Sequence, residues 1–362
     1  MKLNPVLERL TPYRAGPPLA AVQRRYNLAQ IARLSANESP EGPFPEVIEA
    51  VKQAASGLNR YPDGWCAELR EALAAQLNIP EGCLVFGNGS CELLTLLADA
   101  FLGPDRHVVF PMPSFVMYRL IALANSTAFT AVIQPDLRYN VDALVEAVRD
   151  DTTLLIVCNP NNPTGDYLDP RQLRALIDRV PDHTVVVLDE AYGEFVTAAA
   201  DQDTAPWIAD YPNLVVLRTL SKAFGLAGVR CGVTIASPAL IGVLQKIIAP
   251  YPVPTPVRQA ALFALSAHGL AAARDSVQGL VAERKRLAAA LAALPAVRRV
   301  WPSDSNFLLF EVVDSARVMA ATRAAGVVLR DRSRDHGLAN CVRMTMGTPG
   351  ENNAALEIIT RV

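Results

Sequence analysis

TVVVLDEAYGEF (184–195) holds the reading that decides the fold. Val185, Val186, Val187 and Leu188 follow one another without a polar break, and Asp189 and Glu190 end the run. A strand with one wet face alternates apolar and polar residues, whereas a near-continuous apolar run suits a strand covered on both faces. The same texture recurs in LLIVC (154–158) and NLVVLRT (213–219), and in the shorter CLVF (83–86), HVVF (107–110), AFTAVI (128–133) and CGVTIAS (231–237). Between them lie helix-period stretches such as PEVIEAVKQAA (45–55) and CELLTLLADAFL (91–102). This alternation predicts an α/β fold: a mainly parallel sheet of seven strands with helices on both faces.

Beyond Pro252 and Pro254 an Ala/Leu/Arg-rich stretch, 266–294, keeps helical spacing with no strand signal and reads as a connector. Strand-like VRRVWP (297–302), NFLLFEV (306–312), GVVLR (326–330) and CVRMTMG (341–347) follow, with a helix at 316–325 and another at the end, predicting a smaller α+β domain. The first 40 or so residues, rich in Arg and Pro with weak periodicity, read as an arm packed on something else. The expected division is an arm (1–42) joining the small domain, a large domain (43–255) and a small C-terminal domain (256–362).

The chain has 362 residues, 51% of them hydrophobic and 19% charged, as a folded globular protein should. Its 36 acidic and 34 basic residues leave a net charge of −2, so no overall field favours nucleic acid or anionic membrane. The six cysteines form no CxxC pair, which predicts reduced thiols and a cytoplasmic protein. No apolar leader or run long enough to span a membrane is present, and the four histidines stand too far apart for a metal site.

Four segments carry chemistry, each directly after a strand. FGNGSCE (86–92) opens a helix, where free backbone N–H groups form an anion cup or merely a tight turn. NPNNPTG (159–165) is an amide-rich turn at a strand's carboxyl end, where open α/β sheets bind ligands. Asp189 leaves an apolar strand either to meet a cation or to cap a helix. In TLSKAFGLAGVR (219–230), Lys222 sits among small residues near Arg230. A half-buried lysine beside another cation loses its proton readily and becomes a nucleophile for Schiff-base chemistry. The alternative is a surface lysine, which suits the other four lysines of the chain, Lys2, Lys52, Lys246 and Lys285.

Anion cup, amide turn, acid and lysine on one edge of one sheet are the parts a pyridoxal phosphate site needs. Here the chain resembles the fold type I pyridoxal-phosphate aminotransferases. Over nearly its whole length it is similar in detail to the histidinol-phosphate aminotransferases. LSANESPEGP (34–43), NRYPDG (59–64), GNGSCE (87–92), CNPNNPTG (158–165), DEAYGEF (189–195), TLSKAFGLAGVRCG (219–232), IIAPYPVPTPV (247–257), VLRDRS (328–333) and VRMTMGTPGEN (342–352) carry the resemblance.

The resemblance implies that Lys222 holds pyridoxal 5′-phosphate and moves the proton at the reacting carbon. Asp189 would pair with the ring nitrogen, Asn162 and Tyr192 would donate to the ring oxygen, and Phe115 would stack on the ring. Ser90, Cys91, Thr219, Ser221 and Arg230 would hold the cofactor's phosphate. Tyr61 would reach the phosphate of a neighbouring subunit's cofactor, which implies a homodimer with shared sites. Arg343 would grip the α-carboxylate of glutamate or the corresponding end of histidinol phosphate. Arg330, Tyr13 and Tyr251 are candidates for the distal phosphate or the donor's side-chain carboxylate, and Asn37 is a further substrate-side residue. The implied reaction exchanges an amino group between L-histidinol phosphate and 2-oxoglutarate in histidine biosynthesis. An aromatic amino-acid aminotransferase and a threonine-phosphate decarboxylase would share the whole cofactor site. A non-enzymatic sensor of this fold, usually fused to a DNA-binding domain, fits neither the length nor the retained Lys222. Relatives commonly carry an acid where this chain has Cys91, a change that removes a helix-dipole interaction of about 0.3 to 1 kcal/mol.

Overall fold

The computed structural model describes residues 5–10, 12, 16–197 and 203–362. Seven strands form the principal sheet, in the order Leu84–Gly87, Gly232–Ala236, Leu214–Thr219, Val185–Asp189, Thr152–Cys158, His107–Met112 and Ala128–Ile133. Gly232–Ala236 pairs antiparallel with both its neighbours, and the other six strands run parallel to one another. The apolar runs are buried on both faces because successive side chains enter different cores. Val186 and Leu188 join Leu155, Val157, Leu214 and Val216 on one face. Val185 and Val187 join Leu154, Ile156, Val215 and Leu217 on the other.

Helices Ser90–Phe101, Val116–Ala124 and Pro238–Leu244 close the second face through Leu93, Leu97, Tyr118, Ile121 and Leu244. Ala67–Leu77, Pro170–Ile177 and Thr255–Ala264 cover the first through Leu69, Leu73, Leu176 and Ala261. Asp169 begins Pro170–Ile177 with a capping box: its carboxylate accepts from Arg171 and Gln172 N–H while the Gln172 side chain accepts from the Asp169 N–H.

The stretch at 266–294 is one helix, Ala267–Ala292, started by the Ser266 hydroxyl accepting from Gly269 N–H. It is more than a connector. Its buried Arg284 donates to the carbonyls of Phe195 (3.2 Å) and Ser305 (2.6 Å), which ties the helix to loops beside both sheets. Next comes an antiparallel sheet of four strands in the order Arg330–Asp331, Cys341–Thr345, Phe307–Val312 and Val297–Val300. Its Phe307, Phe310, Val342 and Met344 continue the first core.

The weak periodicity near the start hides two elements. Helix Leu19–Tyr26 buries only Val22, too little apolar surface to leave a strong pattern. Ala32–Arg33 pairs parallel with Val327–Val328, a two-residue strand that pattern reading cannot resolve.

Candidate active site

The carboxyl ends of Thr152–Cys158 and Val185–Asp189 are adjacent, with Cys158 opposite Asp189 in register. Loops from these ends and from Leu214–Thr219 open into a cleft of about 400 Å³. Ligands bind at that edge of open α/β sheets because the strand ends and helix starts converge there. Of the residues singled out in the sequence, the cleft brings together Asn37, Ser90, Cys91, Phe115, Asn162, Asp189, Tyr192, Thr219, Ser221, Lys222, Arg230, Arg330 and Arg343.

The anion cup sits at the start of Ser90–Phe101. Gly89 adopts φ +76°, and a Cβ there would lie 2.4 Å from an Arg230 guanidinium nitrogen. A Cβ on Gly232 would strike the Gly89 carbonyl carbon and the Ser90 nitrogen at 2.7 Å. The two glycines therefore let the helix start, the antiparallel strand and Arg230 meet. Arg230 donates to the Ser221 hydroxyl (3.3 Å) and the Ala227 carbonyl (3.1 Å), while the Thr219 hydroxyl donates to Ser221 Oγ (3.0 Å). Glu92 turns back to accept from the Asn88 N–H at 2.6 Å, so an acid still serves this helix start although Cys91 occupies the preceding position. Burial pushes the Cys91 thiol up, and the charge of Asp189 adds to it.

Asp189 is buried and accepts from the Tyr118 hydroxyl at 2.8 Å and from the Ala191 N–H at 3.2 Å. Burial raises its pKa, and those two hydrogen bonds oppose the rise. Tyr118, fully buried in Val116–Ala124, was invisible as a site residue because a tyrosine at helical spacing reads as core. Phe115 meets its ring edge-on, centroids 5.8 Å apart.

Lys222 is half-buried, and its ammonium donates to the Ala36 carbonyl at 3.2 Å. Burial, followed by the positive charge of Arg343, lowers its pKa from 10.5 to about 8. Lys52, Lys246 and Lys285 are exposed on the surface, as expected of the other lysines.

Asn162 joins the two walls of the cleft: its Oδ1 accepts from Arg343 at 2.6 Å, and its Nδ2 donates to the Tyr192 hydroxyl at 3.2 Å. Arg343 also donates to the Ser35 carbonyl at 2.9 Å and lies 5.2 Å from the Phe307 ring centroid. Asn37 donates to the Tyr192 hydroxyl at 2.9 Å.

Two candidates stand elsewhere. Tyr61 and Tyr251 stack on each other, centroids 4.6 Å apart, and neither is among the cleft-lining residues. Tyr13 lies outside the described residues. The cleft adds Arg33, Arg332 and Glu38, with Arg33 paired to Glu38 at 3.1 Å and Arg332 to Asp335 at 2.6 Å. Its lining thus carries six basic side chains against two acidic ones in a chain of net charge −2. Such a cleft draws ligands bearing several negative charges. No group of acids, histidines and cysteines among the described residues is arranged to hold a metal ion.

The chain is similar to known proteins over its whole length. The chain is 39% identical over 359 residues to a histidinol-phosphate aminotransferase of Aeromonas hydrophila, covering 98% of this chain and 95% of that one. It is 36% identical over 363 residues to one of Geobacillus thermodenitrificans, covering 100% and 98%. The crystal structure of histidinol-phosphate aminotransferase from Sinorhizobium meliloti in complex with pyridoxal-5′-phosphate superposes with a TM-score of 0.90 at 25% identity, covering 99% of this chain and 97% of that one. Aspartate aminotransferase from Thermus thermophilus shares the fold, with a TM-score of 0.83 at 22% identity. The family model for aminotransferase class I and II matches residues 29–359, and the chain belongs to that family.

Proposed function

We propose that the protein is a pyridoxal-phosphate-dependent histidinol-phosphate aminotransferase of the cytoplasm. In L-histidine biosynthesis it would pass the amino group of glutamate to imidazole acetol phosphate, giving L-histidinol phosphate and 2-oxoglutarate. The observation that carries the substrate assignment is the arginine-rich lining of the cleft. Arg230 serves the anion cup and Arg343 can grip a carboxylate, while Arg330 and the acid-paired Arg33 and Arg332 line the same cleft. A second phosphate, which an arginine fork can bind while keeping an acidic partner, is the ligand group that this lining fits best.

The residues present fit the cofactor. The helix start with Thr219, Ser221 and Arg230 suits its phosphate, buried Asp189 its ring nitrogen, and the Tyr192 hydroxyl its ring oxygen. Bound there, pyridoxal phosphate supplies an aldehyde for amines and a ring that accepts the electrons released when the substrate Cα–H bond breaks.

Lys222 is the residue that would hold the aldehyde, and its lowered pKa supplies the neutral amine required. The same amine, 3.2 Å from the Ala36 carbonyl, would serve as the base that takes the proton from the substrate Cα. Asp189 would keep the ring nitrogen protonated. Arg343 offers a planar fork to the glutamate carboxylate and to the alcohol end of histidinol phosphate in turn.

The active form we propose is a homodimer with shared sites. Tyr61 is 82% exposed on its Tyr251 partner, and Trp65 is 64% exposed nearby in sequence. A second copy would cover them and receive Tyr61 at its cofactor phosphate. The cofactor would belong to the large domain (43–255), with the small domain (256–362) and the arm (1–42) closing over substrate. Among the described residues no helix is long and apolar enough to cross a membrane.

Single-turnover absorbance with histidinol phosphate, glutamate, phenylalanine and threonine phosphate tests the assignment, in wild type and Arg330→Ala. Histidinol phosphate and glutamate should convert the cofactor, and the variant should lose about 10- to 100-fold on histidinol phosphate while keeping glutamate within a few-fold. Phenylalanine turning over as fast as histidinol phosphate would replace the reading with an aromatic aminotransferase.

A further inference from the structure

The segment 35–38 touches the site at three successive residues. The Ser35 carbonyl accepts from Arg343, the Ala36 carbonyl from Lys222, and the Asn37 side chain donates to Tyr192. Asn37 is the most firmly held of the three. Its backbone is left-handed at φ 54°, a conformation asparagine tolerates better than most residues. Its N–H donates to Thr345 Oγ at 2.9 Å, the Thr345 hydroxyl donates to Asn37 Oδ1 at 3.2 Å, and Asn306 donates to the Asn37 carbonyl at 3.2 Å. With Oδ1 committed to Thr345, the amide orientation is fixed and Nδ2 must face Tyr192.

A tyrosine hydroxyl has two acceptor lone pairs and one hydrogen. Asn37 Nδ2 and Asn162 Nδ2 both donate to Tyr192, so both lone pairs are taken. Among the described residues the hydroxyl hydrogen has no acceptor, although Tyr192 is 96% buried and lines the cleft. We infer that Asn37, locked by Thr345, is a positioning residue that makes Tyr192 an obligate donor into the cleft. This rests on the function proposed above, under which the acceptor is the cofactor's ring oxygen. Asn162 alone would leave the hydroxyl a free lone pair and a second orientation. The charged and titratable groups around Tyr192 are Arg343, Lys222, Asp189 and Cys158; Asn37 is neutral and acts through direction rather than charge.

The test is a pH titration of the cofactor's absorption band in the holoenzyme, for wild type, Asn37→Asp, Asn37→Gly and each of these combined with Tyr192→Phe. Both single substitutions suit the left-handed backbone. A carboxylate at this position only accepts, so it would turn the Tyr192 hydrogen away from the cleft; glycine removes the donor without adding charge. Donors to the ring oxygen stabilise its anionic form, so losing one moves the band's midpoint upward. We expect about one pH unit for Asn37→Asp and a smaller upward shift for Asn37→Gly. Neither change should move the midpoint further in the Tyr192→Phe background. An unchanged midpoint in both single variants overturns the inference, as does an equal shift without the Tyr192 hydroxyl, which would reveal a charge effect. A wild type with no cofactor band overturns the proposed function and this inference with it, and that outcome is visible before any variant is made.

Discussion

The cleft wall built by the seven-stranded sheet and the wall built by residues 35–38 with the four-stranded sheet differ in the reach of their contacts. In the first, the Thr219 hydroxyl meets Ser221 two residues away and Arg230 meets Ser221 nine away. In the second, Asn37 meets Thr345 and Ser35 meets Arg343 across 308 residues each, while Lys222 reaches Ala36 across 186. Under the proposed function the difference would separate cofactor binding from closure over substrate. In the first wall short-range contacts order the 219–230 loop, and the cup is completed where Arg230 reaches the Asn88 carbonyl 142 residues away; the contacts of the second form only when the chain's ends come together. Lys222 belongs to both walls: the first positions it, and Arg343 of the second adds to the lowering of its pKa that burial causes.

Substitutions at the two walls should therefore differ in kind. The largest effect belongs to Asp189→Asn. It removes the buried charge proposed to pair with the ring nitrogen, and kcat should fall on the order of 100-fold or more with both substrates, measured by steady-state kinetics. Arg343→Lys keeps the charge but loses the fork, so kcat/KM for glutamate should fall about 10- to 100-fold, with cofactor affinity unchanged by equilibrium dialysis. Equal losses of cofactor affinity in both variants would erase the distinction between the walls.

The rate of cofactor capture by the apoprotein should rise tenfold per pH unit and level off near pH 8, because only the neutral Lys222 amine reacts. Arg343→Met removes the second cause of the lowered pKa, and the break should move upward in stopped-flow traces. The smallest effect is that of Thr345→Val. It deletes one hydroxyl from the lock on Asn37, costing about 1 kcal/mol of stability in urea unfolding and shifting the cofactor band upward by a few tenths of a pH unit.

The sheet and the first wall were legible because their signals are local. An unbroken run such as Val185 to Leu188 reports burial on both faces, and an acid, a lysine or a glycine turn after such a run sits where the sheet places ligands. The second wall was not legible from pattern alone. Asn37 carries no periodic signal, and its partners Thr345 and Asn306 are polar residues within or beside buried strands. Tyr118 escaped because helical spacing hides a hydrogen-bonding tyrosine among core residues. The long helix read as a connector because Arg284 resembles its exposed neighbours until its carbonyl partners are known. Tyr61 and Tyr251 were found by resemblance, and a single chain holds them together outside the cleft.

The account's central claim is that Lys222, alone among the lysines, meets the aldehyde of pyridoxal phosphate. Borohydride reduction of the holoenzyme followed by peptide mapping tests this directly. We predict one pyridoxyl group per chain, on the peptide containing Lys222. Label on Lys2, Lys52, Lys246 or Lys285 instead, or no covalent label at all, would contradict it.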